Sequence, residues 1–234
     1  MPEGPEAHLI AQQLADETYD LEVLESDYVC LVGSKLNIYA QGKKIVFQTE
    51  GMKHLVLSLG MDSRFSTNFD SKRFVGQKPN LLLRTEQRSY YWKTFQFGTA
   101  EVVDNLKLDI GPDLLTNPPT EDEWYSSLQR RKNIAAFLLD QKVWSGIGNY
   151  IRSEAFFLSN IDPRKKCNEL TRQEANSLLS AIVQVMNESL ALGCSSGYRD
   201  LYGQSGKYRF RCYKQDGTTA LKMPDGRYVY VFGQ

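Results

Sequence analysis

The sequence is poor in the residues that bind metals or close disulfides. Four cysteines, Cys30, Cys167, Cys194 and Cys212, are scattered along 234 residues with no CxxC pair, and there are only two histidines. Neither a zinc site nor a disulfide framework is indicated, so the cysteines read as free thiols and no metal or cofactor is expected. Long apolar runs are missing too. Nothing approaches the ~20 residues needed to span a bilayer, and the N-terminus lacks the basic segment and apolar stretch of a signal peptide. The expectation is an intracellular monomer with no membrane contact. Net charge is also absent, with 28 basic against 28 acidic residues, whereas proteins that grip DNA usually concentrate Lys and Arg. The balance hides an asymmetry: the first thirty residues carry eight acidic side chains and no Lys or Arg, so basic residues are enriched elsewhere.

What is present is ordinary globular composition, 41% hydrophobic and 24% charged, which argues against disorder and supplies a core for one large or two modest domains. A short helical segment around Glu6 to Glu17 comes first. Alternation then predicts strands at Leu36 to Tyr39, Leu55 to Leu59, Asn80 to Arg84, Ser89 to Phe97 and Ala100 to Val103. Gly111-Pro112 and Asn117-Pro118-Pro119 punctuate the chain and mark a linker. Helices dominate beyond it. Thr120 with Glu123, and Thr171 with Glu174, have capping-box spacing; they open helices through Trp124 to Arg131 and from Thr171 to Ala191. Two more helices are expected at Asn133 to Gln141 and at Ile151 to Leu158. Lys207 to Phe232 alternates again and breaks at Asp216-Gly217 and Pro224-Asp225-Gly226, which suggests a small antiparallel hairpin.

Two constellations carry chemistry. The start, Met1-Pro2-Glu3-Gly4-Pro5-Glu6, would expose a secondary amine at Pro2 once Met1 is removed. An α-amino group has a pKa near ~8, so it is a usable nucleophile without tuning, and it can form a Schiff base at a sugar C1′. Glu3 and Glu6 lie beside it, able to move protons and to organise the amine. The same residues are also simply a good helix start, with Pro in the first turn and Glu at the positive end of the dipole. The second constellation, Ser145-Gly146-Ile147-Gly148-Asn149-Tyr150, joins two helices; its glycines allow close backbone approach, and the next helix N-terminus and the Asn149 amide offer donors to a phosphate. An ordinary helix-helix turn is the alternative.

Five segments occur together in one order: Pro2-Glu3-Gly4-Pro5-Glu6, Gly42-Lys43, Gly60-Met61, Gly111-Pro112-Asp113, and Leu138-Leu139-Asp140-Gln141 running to Gly146-Ile147-Gly148-Asn149-Tyr150. In this the chain resembles the Fpg/Nei family of DNA glycosylases, and the likeness spans nearly all of it. The resemblance implies an α+β fold: an N-terminal catalytic β-sandwich domain over 1–116, a helix-two-turns-helix DNA-binding domain over 117–198, and a small C-terminal β-hairpin finger over 199–234. Double-stranded DNA carrying damaged bases or abasic sites would lie in the cleft between. By the same resemblance Pro2 is the Schiff-base nucleophile, Glu3 the general acid/base and Glu6 its support. Lys43 contacts a phosphate near the lesion and is the proton donor in β-elimination, with adjacent Lys44 leaving the register open by one. Met61 fills the gap left by the flipped nucleotide, Phe97 wedges the opposite strand, Asn149 contacts the backbone, and Arg227 grips phosphates around the lesion and serves δ-elimination.

The chain departs from most of that family in two places. Its hairpin holds only Cys212, not four cysteines, and so resembles the zincless finger of some Nei-like enzymes, with Tyr213, Tyr228, Tyr230 and Phe232 available to pack in place of the metal. Phe95-Gln96-Phe97-Gly98 stands where many members have an arginine-bearing wedge. The implied activity is base excision followed by β,δ-elimination. Oxidised pyrimidines and hydantoins are favoured over 8-oxoguanine, and the alternatives are a non-catalytic damaged-DNA or abasic-site binding protein and an 8-oxoguanine-preferring Fpg-type glycosylase. The glycine- and serine-rich segment from Gly193 to Gly206, where the family caps the lesion, is expected to move.

Overall fold

The computed structural model of the chain describes residues 2–69, 74 and 76–233. The first helix, α1 (Gly4–Glu17), starts where Pro5 pre-sets the first turn and the Glu6 carboxylate reaches back 2.8 Å to accept from the Glu3 amide. Ala7, Ile10, Ala11 and Leu14 recur at helical spacing and form its buried face.

Among the described residues eight strands follow: β1 (Glu25–Ser26), β2 (Asn37–Gln41), β3 (Lys44–Gln48), β4 (His54–Ser58), β5 (Arg64–Ser66), β6 (Leu81–Arg84), β7 (Ser89–Lys93) and β8 (Thr99–Val103). They form two four-stranded antiparallel sheets, ordered β2-β3-β4-β8 and β1-β6-β7-β5. Ile38, Ile45, Phe47, Leu55 and Leu57 of one sheet share a core with Phe65, Leu81, Leu83, Tyr90 and Trp92 of the other and with the buried face of α1. This is a β-sandwich with a helix laid along it.

The second half holds α2 (Glu121–Ser127), α3 (Ile134–Leu138), α4 (Asn149–Ser159), α5 (Arg172–Ala191) and a hairpin of β9 (Thr218–Lys222) and β10 (Tyr228–Phe232). Both capping boxes form: Thr120 Oγ1 accepts from the Glu123 amide and Thr171 Oγ1 from the Glu174 amide. Trp124, Phe137, Ile151, Ala155, Ile182 and Val185 of the helices pack into one core with Tyr208, Met223 and Val229 of the C-terminal segment. No helix among the described residues is long and apolar enough to cross a membrane.

Several expected elements change. β7 stops at Lys93, well before Phe97, where its partners β5 and β6 run out at Arg64 and Leu81, and Phe97 itself lies in a turn with φ +59°. α2 ends at Ser127 and α3 at Leu138, each three or four residues short of its sequence pattern, and the Asn133 side chain caps α3 by accepting from the Ala136 amide. The alternation from Lys207 onward does not make a strand before Thr218, because the amides of Arg211, Cys212 and Tyr213 all donate to the Glu154 carboxylate rather than to a neighbouring strand. The segment from Gly193 to Gly206 is tied down rather than left loose. Gln13 of α1 donates to Asp200 and accepts from the Leu201 amide, Tyr202 donates to Glu17 at 2.7 Å, and Leu201 is buried in the sandwich core.

Candidate active site and nucleic-acid interface

A cleft of about 700 Å³ opens between the sandwich and the helical half, and Pro2, Lys43, Met61, Phe97, Asn149 and Arg227 all line it, with Lys44 beside Lys43. Six residues separated by up to 225 positions in sequence therefore share one cavity. Glu3 and Glu6 lie directly behind, 2% and 1% exposed.

Glu3 is held by the other half of the molecule. Its Oε1 accepts from the Tyr150 amide at 3.0 Å and its Oε2 from the Ile151 amide at 3.2 Å, so the carboxylate sits on the positive end of α4. Gly148 is required there for a physical reason: a Cβ on it would fall inside the Glu3 carboxyl group. The expectation that this helix N-terminus serves a phosphate is thereby revised, because two of its amides are taken by Glu3. Burial pushes the Glu3 pKa above its usual value; the charge of Lys43 and the two amide bonds act against that rise. Glu6 is pushed up to about 7, by burial first and then by the neighbouring Glu3 charge. Its two oxygens also face the Tyr150 hydroxyl at 3.3 Å, and that hydroxyl lies 3.1 Å from Ser189 Oγ.

Lys43 occupies the second place of the two-residue turn between β2 and β3. Gly42 precedes it at φ +59°, the left-handed backbone that the first place of such a hairpin loop demands. Burial lowers the Lys43 pKa, Glu3 counteracts this, and the nearby Arg227 lowers it further. Lys44 begins β3 opposite Gln41. Arg227 is exposed at the hairpin turn, and among the described residues its guanidinium has no partner. Three cations, Lys43, Lys44 and Arg227, thus line the cavity with the carboxyl groups of Glu3 and Glu6 behind them, an arrangement suited to polyanionic backbone despite the neutral net charge.

Met61 and Phe97 are neighbours, since the Met61 amide donates 2.8 Å to the Gln96 carbonyl. Phe97 is 80% exposed and adopts the left-handed backbone, a conformation that costs a non-glycine residue about 1 kcal/mol. A large apolar side chain held outward on strained backbone is suited to insertion. Asn149 opens α4 at the cleft wall, with its Oδ1 buried and unpartnered. Met1 lies outside the described residues, and with it the question of whether Pro2 is the terminus.

Sequence reasoning missed the residues that hold these parts in place. Arg152 is fully buried on α4 and bonds the Ala135 carbonyl and Asp225 Oδ2, each at 2.8 Å, anchoring the hairpin turn that carries Arg227. Glu154, two residues on, takes the three amides from Arg211 to Tyr213 and faces the Tyr208 hydroxyl. The finger is therefore fixed by a buried charge at each end. Aromatic packing adds to it, with Phe210, Tyr213 and Tyr230 in edge contact and Phe157 against Phe232, while Tyr228 stays exposed. Among the described residues no group of three His, Cys, Asp or Glu is gathered as a metal site, and the four cysteines are unpaired. The available signal was two charges set inside the apolar run of Tyr150, Ile151, Ala155 and Phe156. Gln141 was likewise passed over; it clamps the turn before α4 by bonding the Ile147 carbonyl and the Gly146 amide.

Residues 110–199 match the family model for the formamidopyrimidine-DNA glycosylase H2TH domain. The chain is 28% identical over 248 residues to the formamidopyrimidine-DNA glycosylase of Solibacter usitatus, covering 94% of this chain and 90% of that protein. Identity to the enzyme of the same name from Acaryochloris marina is 32% over 129 residues, which span 45% of that protein's length. Among solved structures, MutM (Fpg) of Thermus thermophilus superposes with a TM-score of 0.87 at 23% identity, covering 99% of this chain and 97% of that one. The Lactococcus lactis Fpg in complex with DNA containing an abasic site gives 0.86 at 21%, over 98% and 97%. At such identities these superpositions carry the fold, a sandwich and a helical half meeting at a cleft.

Proposed function

We propose that the chain is a member of the Fpg/Nei family of DNA glycosylases that excises oxidised bases from double-stranded DNA and then cuts the strand as an AP lyase. The observation that carries this reading is the meeting of Pro2, Lys43, Asn149 and Arg227 in one cleft, with Glu3 seated behind them. Extruding a nucleotide into the cleft costs roughly a few kcal/mol, least for a damaged base, so flipping contributes to selection. Met61 and Phe97 fill the space that is left.

With Met1 removed, the Pro2 nitrogen donates its electron pair to C1′. That pair becomes the new N–C1′ bond while the glycosidic bond breaks, and the base leaves with the glycosidic pair and takes up a proton. The C1′–O4′ bond then opens, O4′ takes a proton, and an iminium joins Pro2 to the sugar. The iminium acidifies the C2′ proton; its removal expels the 3′ phosphate, and a second elimination expels the 5′ phosphate. Glu3 suits the proton traffic, since burial raises its pKa while two amides hold it in place. Lys43 and Arg227 face the phosphates on either side of the lesion.

No cofactor takes part, and the finger works without zinc, held by Arg152 and Glu154. Gly4 in the opening motif and a finger of this kind favour oxidised pyrimidines and hydantoins as substrates. Borohydride should trap the protein covalently on damaged DNA, and a protein whose N-terminus is blocked by retained Met1 should not be trapped. Equal trapping of blocked and processed protein would make a lysine such as Lys43 the nucleophile and refute the assignment of Pro2.

A further inference from the structure

The Gly111-Pro112-Asp113 motif takes no part in the chemistry above, yet Asp113 is 3% exposed and its carboxylate gathers three separate pieces of the chain. Oδ2 receives the His8 Nε2 of α1 at 2.7 Å and the Gly42 amide at 2.6 Å, and Oδ1 receives the Leu115 amide at 2.9 Å. Asp113 is also bridged to Ser145, whose Cβ lies 2.7 Å from where a Cβ on Gly42 would stand. The turn between β2 and β3 is thus pressed against the helical half on one side and gripped through its first amide on the other.

We propose that Asp113 is a positioning residue for Lys43: by holding the Gly42 amide it fixes the base of the adjacent lysine and so sets where the ammonium meets DNA in the cleft. This rests on the glycosylase and lyase reading above. A staple between the two halves would need only the His8 contact. The same carboxylate, however, also holds the backbone of a two-residue turn whose other residue is Lys43, and a side chain with four rotatable bonds can be aimed only as well as its Cα is held. Burial strengthens the grip, because a carboxylate removed from water with three donors around it has no competing partner.

The test is a double-mutant cycle read by single-turnover cleavage of abasic DNA. Asp113→Ala removes both carboxylate oxygens, so the Gly42 amide loses its acceptor together with those of Leu115 and His8. Loss of about an ångström of positioning should slow the wild-type background roughly ten- to a hundredfold. In a Lys43→Ala background the same substitution should change the rate by less than about twofold, since the residue it positions is gone. Equal slowing in both backgrounds would overturn the proposal and leave Asp113 a structural staple. Should Asp113→Ala fail to fold, Gly42→Ala disturbs the same turn from the Ser145 side with Asp113 intact. It should show the same dependence on Lys43, and equal effects in both backgrounds would again overturn the proposal. A wild-type protein that neither cleaves nor is trapped would instead sink the underlying functional reading, and so is told apart from failure of this inference.

Discussion

Replacing Gly148 by alanine should dislodge Glu3. The backbone there, φ −130° and ψ −159°, is open to any residue, so the substitution adds no conformational strain and its whole effect comes from the new methyl group. That methyl would fall within the Glu3 carboxyl group, which has nowhere to retreat because the side chain is 2% exposed. Moving it forfeits the bonds from the Tyr150 and Ile151 amides, about 1.5–3 kcal/mol each for a charged acceptor, and leaves those amides without a partner. A loss of roughly 3–5 kcal/mol corresponds to a fall in Tm on the order of 10 °C for a chain of this size. Single-turnover cleavage should drop by about a hundredfold as the carboxylate leaves its place. Thermal unfolding and quenched-flow cleavage of abasic DNA, measured on Gly148→Ala, Glu3→Ala and the double variant, separate the causes: once Glu3 is alanine the methyl has nothing to strike, and the second substitution should be nearly silent. Additive effects, or a Gly148→Ala protein with wild-type Tm and rate, would refute the seating of Glu3 on α4.

Glu6 should make stability depend on pH with a definite sign. Its folded pKa of about 7 exceeds the unfolded 4.5, so between those values the folded chain holds a proton that the unfolded chain lacks; stability is lost as pH rises through that window, by about 3 kcal/mol in all. Urea unfolding of Glu6→Gln from pH 4 to 8 should show a slope shallower by that amount, and identical slopes would contradict the buried carboxyl. Glu154→Ala would leave three amides and the Tyr208 hydroxyl without an acceptor, costing at least about 3 kcal/mol locally. DNA affinity should fall about tenfold, with Arg227→Ala adding little on top of it; additivity of the two would show that Glu154 does not hold the finger. Phe97→Gly relieves a left-handed residue while removing an exposed ring, so Tm should stay level or rise. Affinity for abasic duplex should weaken about tenfold for the loss of one stacking surface, and unchanged affinity would remove Phe97 from the interface.

The elements that the sequence announced are those whose signals are local. Thr120 with Glu123 and Thr171 with Glu174 close over three residues, and both boxes form. Gly42-Lys43 and Gly146 to Tyr150 likewise carry their geometry within a few positions. The errors came where a distant group overruled a local pattern. Tyr208, Phe210 and Cys212 alternate like a strand, but the intervening amides belong to Glu154, more than fifty residues away. Gly193 to Gly206 has a flexible composition, yet Gln13 and Glu17 fasten it from the opposite end of the chain. His8 and Asp113, 105 residues apart, gave no hint of each other because His8 is a polar side chain within the apolar face of α1 and Asp113 lies outside any helix or strand. The cleft residues could be picked out through family likeness; the groups that hold them still required coordinates.

The route of the chain after α5 makes the two halves hard to part. It leaves the helical core, buries Leu201 in the sandwich, and returns to bury Tyr208 among the helices. A single cut at the connection near residue 110 would therefore not release two independent modules, since the sandwich would still be plugged by a residue from the other fragment. A gene divided there should yield pieces that reassemble when co-expressed, whereas the first piece alone would expose an unfilled socket and precipitate. Any lineage that lengthened or shortened the segment between Cys194 and Lys207 would have had to preserve that crossing.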